Sequence, residues 1–314
     1  MWKEMKYKKI KKDIDQKILD ITHNRNSLIQ ESVTELVESG GKRLRPLLVI
    51  LASKFGSAEK NKIYEIAAGI EIFHMSTLVH DDIIDDASIR RGSKTVQKKF
   101  GNKTAVFIGD YLLSKSLELF ERNLSSHSKK KLSQIVRLIC EGEITQHTNK
   151  FNYDLTVVDY LKRIRRKTAL LFSYSMYLGA YESGLRGEML FHLYKFGLEL
   201  GMAFQIEDDL LDFSGKEELT GKKVNQDLQN GIYTLPLIML LEDKKERFKT
   251  ISLLNDENFS EIIKLIHKNN KVEESRSLVK KFIFRARKHL SQLPDNRVKK
   301  ELSKIIDKQL KRKY

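Results

Sequence analysis

The stretch from Ile70 to Gly92, IEIFHMSTLVHDDIIDDASIRRG, places an apolar helix directly before a group of acids and two arginines. Asp81, Asp82 and Asp85 stand at i, i+1 and i+4, so on a helix their carboxylates share one face, where like charges repel. The residues from 67 to 79 are apolar on nearly every side, which predicts a buried helix. Carboxylates in such a place need a cation, and three of them can give each Mg²⁺ one or two ligands beside water and phosphate oxygens.

The same pattern recurs in the second half of the chain. The segment Phe196–Phe213, FGLELGMAFQIEDDLLDF, is again an apolar run that ends in acids, with Asp208, Asp209 and Asp212 at the same spacing. One such group would more simply be a solvated acidic patch at a helix end. Two of them predict a shared cavity into which both triads point and in which several Mg²⁺ ions bind.

Composition indicates the fold class. The chain has 314 residues, 16 Gly and only 3 Pro, with abundant Leu, Ile, Lys and Glu and little of the alternation expected of strands. We therefore expect a single all-α domain over residues 1–314, a helical bundle around a central cavity. No apolar run approaches the ~18 residues of a membrane span, and the N-terminus lacks the apolar core of a signal peptide, so we expect a cytoplasmic protein. The one cysteine, Cys140, has apolar neighbours and is predicted to be a core residue.

The net charge of +16 raises the question of a nucleic-acid or membrane partner. Residues 1–13 carry six Lys against two acids, and residues 297–314 carry eight Lys and Arg against two acids, so the ends hold most of the charge. No aromatic residues alternate with the basic ones as a base-stacking surface requires. The pattern favours solvated tails or a weak attraction to anionic lipid over nucleic-acid binding.

A basic turn precedes the first acid triad. In ESGGKRLRPL, residues 38–47, Gly40 and Gly41 end one helix and Pro46 stands in the first turn of the next. Three basic residues are thereby grouped at a helix N-terminus, which suits an anion such as diphosphate, although an ordinary basic turn fits equally well. The grouped residues are Lys42, Arg43 and Arg45. Arg90 and Arg91, directly after the acids, favour the anion site.

Two further candidates lie later in the chain. Lys167 and Thr168 stand where the charged run YLKRIRRK gives way to apolar ALLF, and the alternative for that run is a solvated stripe. The polar, glycine-containing loop 214–236 could act as a lid from which Lys222 reaches bound phosphate.

With both triads in place, the chain resembles the trans-isoprenyl (polyprenyl) diphosphate synthases. The resemblance covers about residues 40–240, in the family's order, and the paired DDxxD motifs are highly specific. The matching motifs are GGKRLRP (40–46), HDDIIDD with RRG (80–92), GDYLL (109–113), EGEITQ (141–146), KTA (167–169), FQIEDDLLDF (204–213) and GKKVNQDLQNGIYTLP (221–236). FNYDLTVVDYLKRIRRKTALL and the terminal RKY look most like the catalytic component of bacterial heptaprenyl or hexaprenyl diphosphate synthases.

The resemblance implies an isoprenoid-synthase fold and a mechanism. The two triads hold an allylic diphosphate through three Mg²⁺ ions, the diphosphate leaves an allylic carbocation, and the double bond of isopentenyl diphosphate attacks it. The positions that match the family's isopentenyl diphosphate ligands are Lys42, Arg45, His74 and Arg91. Those that match its allylic diphosphate ligands are Arg90, Lys167 and Lys222, with Thr168 and Gln205 beside the carbocation. The residues assigned to the chemical step are Asp81, Asp82, Asp85, Lys167, Gln205 and Asp208. The released diphosphate accepts the final proton.

Product length depends on the helix that ends at the first triad. A tail anchored at Asp81 runs back along this helix, and one turn upstream Ser76 and Thr77 are small, whereas short-chain family members place an aromatic there. Phe73 lies deeper and either narrows the tunnel or belongs to the core. The open turn and the resemblance predict a product of about six or seven isoprene units, used for quinone side chains and made from farnesyl diphosphate.

Alternatives remain from other classes. They are a geranylgeranyl diphosphate synthase, a class I terpene cyclase, whose second metal site mixes Asn, Ser and Glu, and a basic membrane-surface or nucleic-acid module. A regulatory subunit would have lost some of the acids or basic residues. The resemblance also implies either a homodimer or a heteromer with a small regulatory subunit.

Overall fold

The computed structural model describes residues 2–213 and 226–310, and it describes two compact units. Unit 1 consists of Met1–Lys131 and Ser175–Leu190, and unit 2 of Leu132–Tyr174 and Phe191–Tyr314. Over the described residues the chain is helical apart from one two-stranded hairpin. The predicted all-α class is therefore confirmed.

The elements follow one another with short connections. The first helices are α1 Trp2–Ile21, α2 Ser27–Glu38, α3 Leu44–Ser53 and α4 Lys60–Ile84. A hairpin pairs β1 Ile89–Arg90 with β2 Ser93–Lys94, and α5 Val96–Phe100 and α6 Asn102–Asn123 come next. Then follow α7 Ser126–Thr148, α8 Val157–Ile164, a π-helix Arg165–Ala169, α9 Leu170–Glu182, α10 Gly187–Asp209 and a 3₁₀-helix Leu210–Phe213. The last helices are α11 Gln226–Gln229, α12 Leu235–Glu242, α13 Arg247–Asn255, α14 Phe259–Lys268, α15 Lys271–Ser291 and α16 Arg297–Leu310.

Helix α4 is the centre of unit 1 and packs against α3 and α6. Ile66, Ile70 and Ile72 are fully buried, and the buried positions occupy every side of the helix in its middle turns. The predicted buried helix before the first acid triad is confirmed. Because α4 is surrounded by apolar side chains, its end holds the acids at a fixed place in the unit.

The basic ends of the chain are helices and not the solvated tails predicted from charge. Helix α1 buries Ile10, Ile14 and Ile18, which lie four residues apart on one face. Helix α16 buries Leu302 and Ile306 at the same spacing. Charge counting missed this because the lysines occupy the outer faces of amphipathic helices whose apolar stripes are narrow.

Cys140 is exposed on α7, so the prediction of a core cysteine is wrong. Its apolar neighbours in sequence, such as Ile139, turn inward while Cys140 turns outward. None of the helices that the structure describes has the length and apolarity to cross a membrane.

Two helices of unit 1 approach each other closely at Gly179 of α9. A Cβ built on Gly179 would lie 2.0 Å from the carbonyl oxygen of Val49 in α3. A side chain there would therefore force the two backbones apart.

We predict that Gly179→Ala lowers the free energy of unfolding by about 1–3 kcal/mol, since a backbone carbonyl cannot rotate away as a side chain can. Gly69→Ala is the matched control, because its Cβ would meet the ring of Phe120 at 2.9 Å and that ring can shift. A gain of up to ~1 kcal/mol in helix propensity then offsets most of its strain. Denaturant unfolding measures both variants, and an equal loss in the two would contradict the packing argument.

Candidate active site

The first acid triad ends helix α4. Asp81 and Asp82 lie in its last turn, and Asp85 is the C-cap, whose N–H donates to the carbonyl oxygen of Asp81 at 2.8 Å. Asp82 is 3% exposed, while Asp81 and Asp85 are half-buried. The C-terminus of a helix carries partial negative charge, so carboxylates are unfavourable there unless a cation accompanies them.

The hairpin after α4 brings a cation to this triad. The Nε of Arg90 donates to Oδ1 of Asp82 at 2.6 Å. The side-chain amide of Gln97 in α5 donates to the carbonyls of Asp82 and Ala87 at 2.7 and 2.9 Å, which ties the hairpin to the helix end. The sequence did not predict this ion pair, because it depends on the two-residue strands of the hairpin.

Basic side chains converge on His74, two turns before the triad on α4. Burial holds the pKa of His74 well below its usual value, and nearby guanidinium groups lower it further; these belong to Arg45, Arg91, Arg90 and Arg43. His74 is therefore neutral at pH 7, and the charge around it is positive. The structure thus brings the predicted ligands Arg45, His74 and Arg91 together, and their environment suits an anion.

The basic turn contributes fewer charges than the sequence indicated. Lys42 is exposed and Arg45 is half-buried at the start of α3. Arg43, in contrast, is 4% exposed and pairs with Asp15 and Glu71. Arg43 is consequently neutralised and is not an anion ligand, contrary to the grouping of all three basic residues.

The second acid triad differs from the first in its backbone. Helix α10 ends at Asp209, and the chain tightens into the 3₁₀-helix over the next four residues. The expectation that all three acids share one α-helical face is therefore wrong for this triad. Asp208 is exposed and Asp209 half-buried, whereas the side chain of Asp212 lies outside the described part of the structure.

Asp209 is the centre of a hydrogen-bonded network in unit 2. Its Oδ1 accepts from the side-chain amide of Gln205 and its Oδ2 from the hydroxyl of Tyr160, at 2.6 and 2.7 Å. The hydroxyl of Thr168 in turn donates to Oε1 of Gln205 at 2.6 Å. Burial raises the pKa of Asp209 to about 6, against the opposing effect of its two donors.

Tyr160 is a site residue that sequence reasoning missed. It is 1% exposed, and a buried tyrosine needs a partner for its hydroxyl. That requirement was the available signal, but the sequence gave no indication that the partner is Asp209. The π-helix that carries Thr168 was also missed, and such segments are frequent at functional sites.

The remaining predicted residues are placed individually. Lys167 forms an ion pair with Glu143 of α7, with Nζ and Oε2 2.8 Å apart. Lys222 lies outside the described residues.

The three residues predicted to set product length lie on α4. Phe73 is 3% exposed and Ser76 is 1% exposed, while Thr77 is half-buried. The hydroxyls of Ser76 and Thr77 donate to carbonyl oxygens three residues earlier, both at 2.8 Å. Because their own helix satisfies these hydroxyls, both side chains present small, largely apolar surfaces.

Carboxylate oxygens are suitable ligands for Mg²⁺. Among the side chains that the structure describes, no three of His, Cys, Asp and Glu come together as a metal-holding group. This agrees with the expectation that each ion takes one or two carboxylates and leaves its other positions to water and phosphate. The first triad belongs to unit 1 and the second to unit 2, so their convergence stays a prediction.

Comparison with known proteins places this geometry in a family. The model of the polyprenyl synthetase family matches residues 26–273. Heptaprenyl diphosphate synthase component 2 of Bacillus subtilis is 38% identical over 317 residues, which cover 99% of this chain and 91% of the relative. The crystal structure of heptaprenyl diphosphate synthase from Staphylococcus aureus has a TM-score of 0.92 and 34% identity over 96% of this chain and 97% of its own. That of geranylgeranyl pyrophosphate synthase from Lactobacillus brevis has a TM-score of 0.91 and 29% identity over 99% of each chain.

These neighbours share the all-α isoprenoid-synthase fold, and the family match spans both acid triads and the basic turn. The chain therefore belongs to the polyprenyl synthetase family and is a prenyltransferase of isoprenoid biosynthesis.

Proposed function

We propose that the chain condenses isopentenyl diphosphate with an allylic diphosphate, preferably farnesyl diphosphate, to give an all-trans polyprenyl diphosphate for quinone side chains. The observation that carries the proposal is the neutral His74 surrounded by arginines, two turns from the acids that end the same helix. One helix thus supplies both an anion site and a cation site, as a reaction between two diphosphate esters requires.

The acids of the two triads would hold the metal ions. We assign three Mg²⁺ ions to Asp81, Asp82, Asp85, Asp208, Asp209 and Asp212. Bound Mg²⁺ supplies Lewis-acid stabilisation of the charge that develops on the leaving diphosphate. This role requires the two triads to meet at one cavity and residues 1–314 to work as one domain, and the family match across both units supports that arrangement.

The basic residues would hold the two diphosphates. Lys42, Arg45, His74 and Arg91 bind isopentenyl diphosphate, and the neutral imidazole donates one hydrogen bond there. Arg90, Lys167 and Lys222 bind the allylic diphosphate. Arg90 and Lys167 already pair with Asp82 and Glu143, so diphosphate oxygens would share these cations with carboxylates.

Thr168 and Gln205 would lie beside the carbocation. Their side-chain oxygens carry partial negative charge, and the Asp209 network fixes Gln205 in one orientation. A fixed dipole stabilises charge without reorganising during the reaction. The final proton passes to the released diphosphate, so no basic side chain is assigned to that step.

The partners follow from the same proposal. The Bacillus subtilis relative is named component 2, which favours a heteromer with a small subunit over a homodimer. We further propose a cytoplasmic protein with weak membrane-surface association and no nucleic-acid partner. The family assignment favours the synthase over a terpene cyclase or a basic binding module, while a geranylgeranyl product remains the second candidate because the Lactobacillus brevis neighbour is a geranylgeranyl pyrophosphate synthase.

We predict that the purified chain incorporates labelled isopentenyl diphosphate into farnesyl diphosphate only with Mg²⁺, and that Asp81→Asn and Asp208→Asn each reduce turnover about 100-fold or more. Asp86→Asn is the matched control, since Asp86 is an exposed neighbour of the first triad with a left-handed backbone that Asn tolerates. The metal-free thermal midpoint of the two site variants should not fall, because each loses a repelling charge. Near-normal turnover in either would show that the triads do not share one metal site. Activity that appears only with a small second subunit would establish the heteromer.

We predict that diphosphate binding raises the pKa of His74, because the anion offsets the arginines that lower it. Without an anion, the unfolded chain takes up this proton near pH 6.5 and the folded chain does not, so stability from this group falls as pH drops through that value. Imidazole NMR titrations with and without inorganic diphosphate measure the change, with the resonance assigned by its loss in His74→Gln. An unmoved resonance at saturating diphosphate would exclude His74 from the anion site.

We predict a product of about six or seven isoprene units that Ser76→Phe shortens toward farnesyl or geranylgeranyl length, because a ring one turn from the triad blocks the tail. Phe73→Ala should lengthen it if Phe73 forms the deeper limit. Chromatography of the extracted products measures both, with Ser114→Phe on the exposed face of α6 as the control. An unchanged distribution in Ser76→Phe would mean that the tail does not pass this part of α4.

A further inference from the structure

Arg43 has an unusual backbone for its residue type. Its φ and ψ are 43° and 42°, in the left-handed region, and it is the N-cap of α3. A residue with a Cβ rarely adopts this conformation unless its surroundings hold it there. The side chain of Arg43 shows what holds it.

The Arg43 guanidinium is bound from three helices. Its Nε donates to Asp15 of α1 at 2.6 Å and its Nη1 to Glu71 of α4 at 3.1 Å. Its Nη2 donates to the carbonyl of Val37 in α2 at 2.9 Å, and Nη1 also approaches the carbonyl of Gly40 at 3.3 Å. Two carboxylates thus neutralise one buried cation, and the planar donor group fixes the direction of each contact.

The same turn is held at two further points. The hydroxyl of Tyr7 in α1 donates to the carbonyl of Lys42, and Nη1 of Arg91 donates to the carbonyl of Gly40. A Cβ on Gly41, whose φ is +139°, would lie 2.7 Å from Nη1 of Arg91 and 3.0 Å from Nη1 of Arg43. The turn is therefore packed directly against two guanidinium groups.

We propose that Arg43 is a positioning residue: anchored by Asp15 and Glu71, it fixes the turn so that Lys42 and Arg45 are held in place for isopentenyl diphosphate. The proposal rests on the function proposed above and makes the basic N-terminal helix α1 part of the specificity for that substrate. Helix α1 reaches the turn through Asp15, by way of Arg43, and through Tyr7. Neither contact involves the acid triads, so the effect is confined to one of the two substrates.

The test is a kinetic comparison of Asp15→Asn and Tyr7→Phe with the full chain. We expect KM for isopentenyl diphosphate to rise about five- to tenfold, corresponding to roughly 1–1.4 kcal/mol, while kcat and KM for the allylic diphosphate change less than about twofold. Asp20→Asn is the matched control, since Asp20 is an exposed acid on α1 whose carboxylate accepts only from Gln16 among the printed contacts of that helix. Asp20→Asn should leave every constant unchanged.

A double-mutant cycle tests whether Asp15 acts through Arg43. Arg43→Lys keeps the charge and loses the planar donor group, so it should raise the same KM, and adding Asp15→Asn should raise it little further. Additive effects would show that Asp15 acts by another route. An unchanged KM in both Asp15→Asn and Tyr7→Phe, or an equal loss for both substrates, would overturn the proposal.

Binding measurements separate this inference from the proposed function. Calorimetric titration with inorganic diphosphate needs no turnover, and we expect Asp15→Asn to bind it about five- to tenfold more weakly than the unaltered chain or Asp20→Asn. Equal affinities would overturn the role of Arg43 even in an active enzyme. Absence of prenyl transfer in the unaltered chain, together with the expected loss of diphosphate affinity, would contradict the proposed function and support the positioning role.

Discussion

Carboxylates at the C-terminal ends of buried helices are the constraint on which the rest of the site depends. At the end of α4 the helix dipole and the neighbouring acids both oppose the charge of Asp82, which is nearly inaccessible to water. The structure meets this partly with Arg90, whose guanidinium contacts that carboxylate. At the end of α10, Asp209 has two hydrogen-bond donors and a raised pKa. The two ends solve the same electrostatic problem differently, one with a cation and one with neutral donors.

The sequence was sufficient for features that depend on periodicity or on local chemistry. The apolar run before the first triad predicted the burial of α4, and the two glycines before Lys42 predicted the end of α2. The recurring acid spacing led to the family before any fold was known. These signals are strong because each is contained within one helix or turn, where the positions of side chains follow from the residue count.

Features that depend on contacts between distant segments could not be predicted in the same way. Arg43 looks like its neighbours in the sequence, and only the arrival of Asp15 and Glu71 from two other helices makes it a neutral structural residue. Tyr160 and Asp209 are far apart in the chain, and Cys140 turns outward although its neighbours are apolar. The change from α to 3₁₀ geometry after Asp209 also has no clear local signal, since the acid spacing is identical in the two triads.

The π-helix between α8 and α9 has a consequence for how this part of the chain tolerates changes in length. In an uninterrupted α-helix, Tyr160 and Thr168 would point about 80° apart, because eight residues at ~100° each exceed two full turns. A π-turn contains one extra residue, which offsets roughly 100° of that rotation and brings the two side chains nearly into line. Both then reach the pair formed by Gln205 and Asp209. Deleting one residue from Arg165–Ala169 would preserve a continuous helix yet rotate Thr168 away from Gln205, so here the number of residues matters independently of their identity.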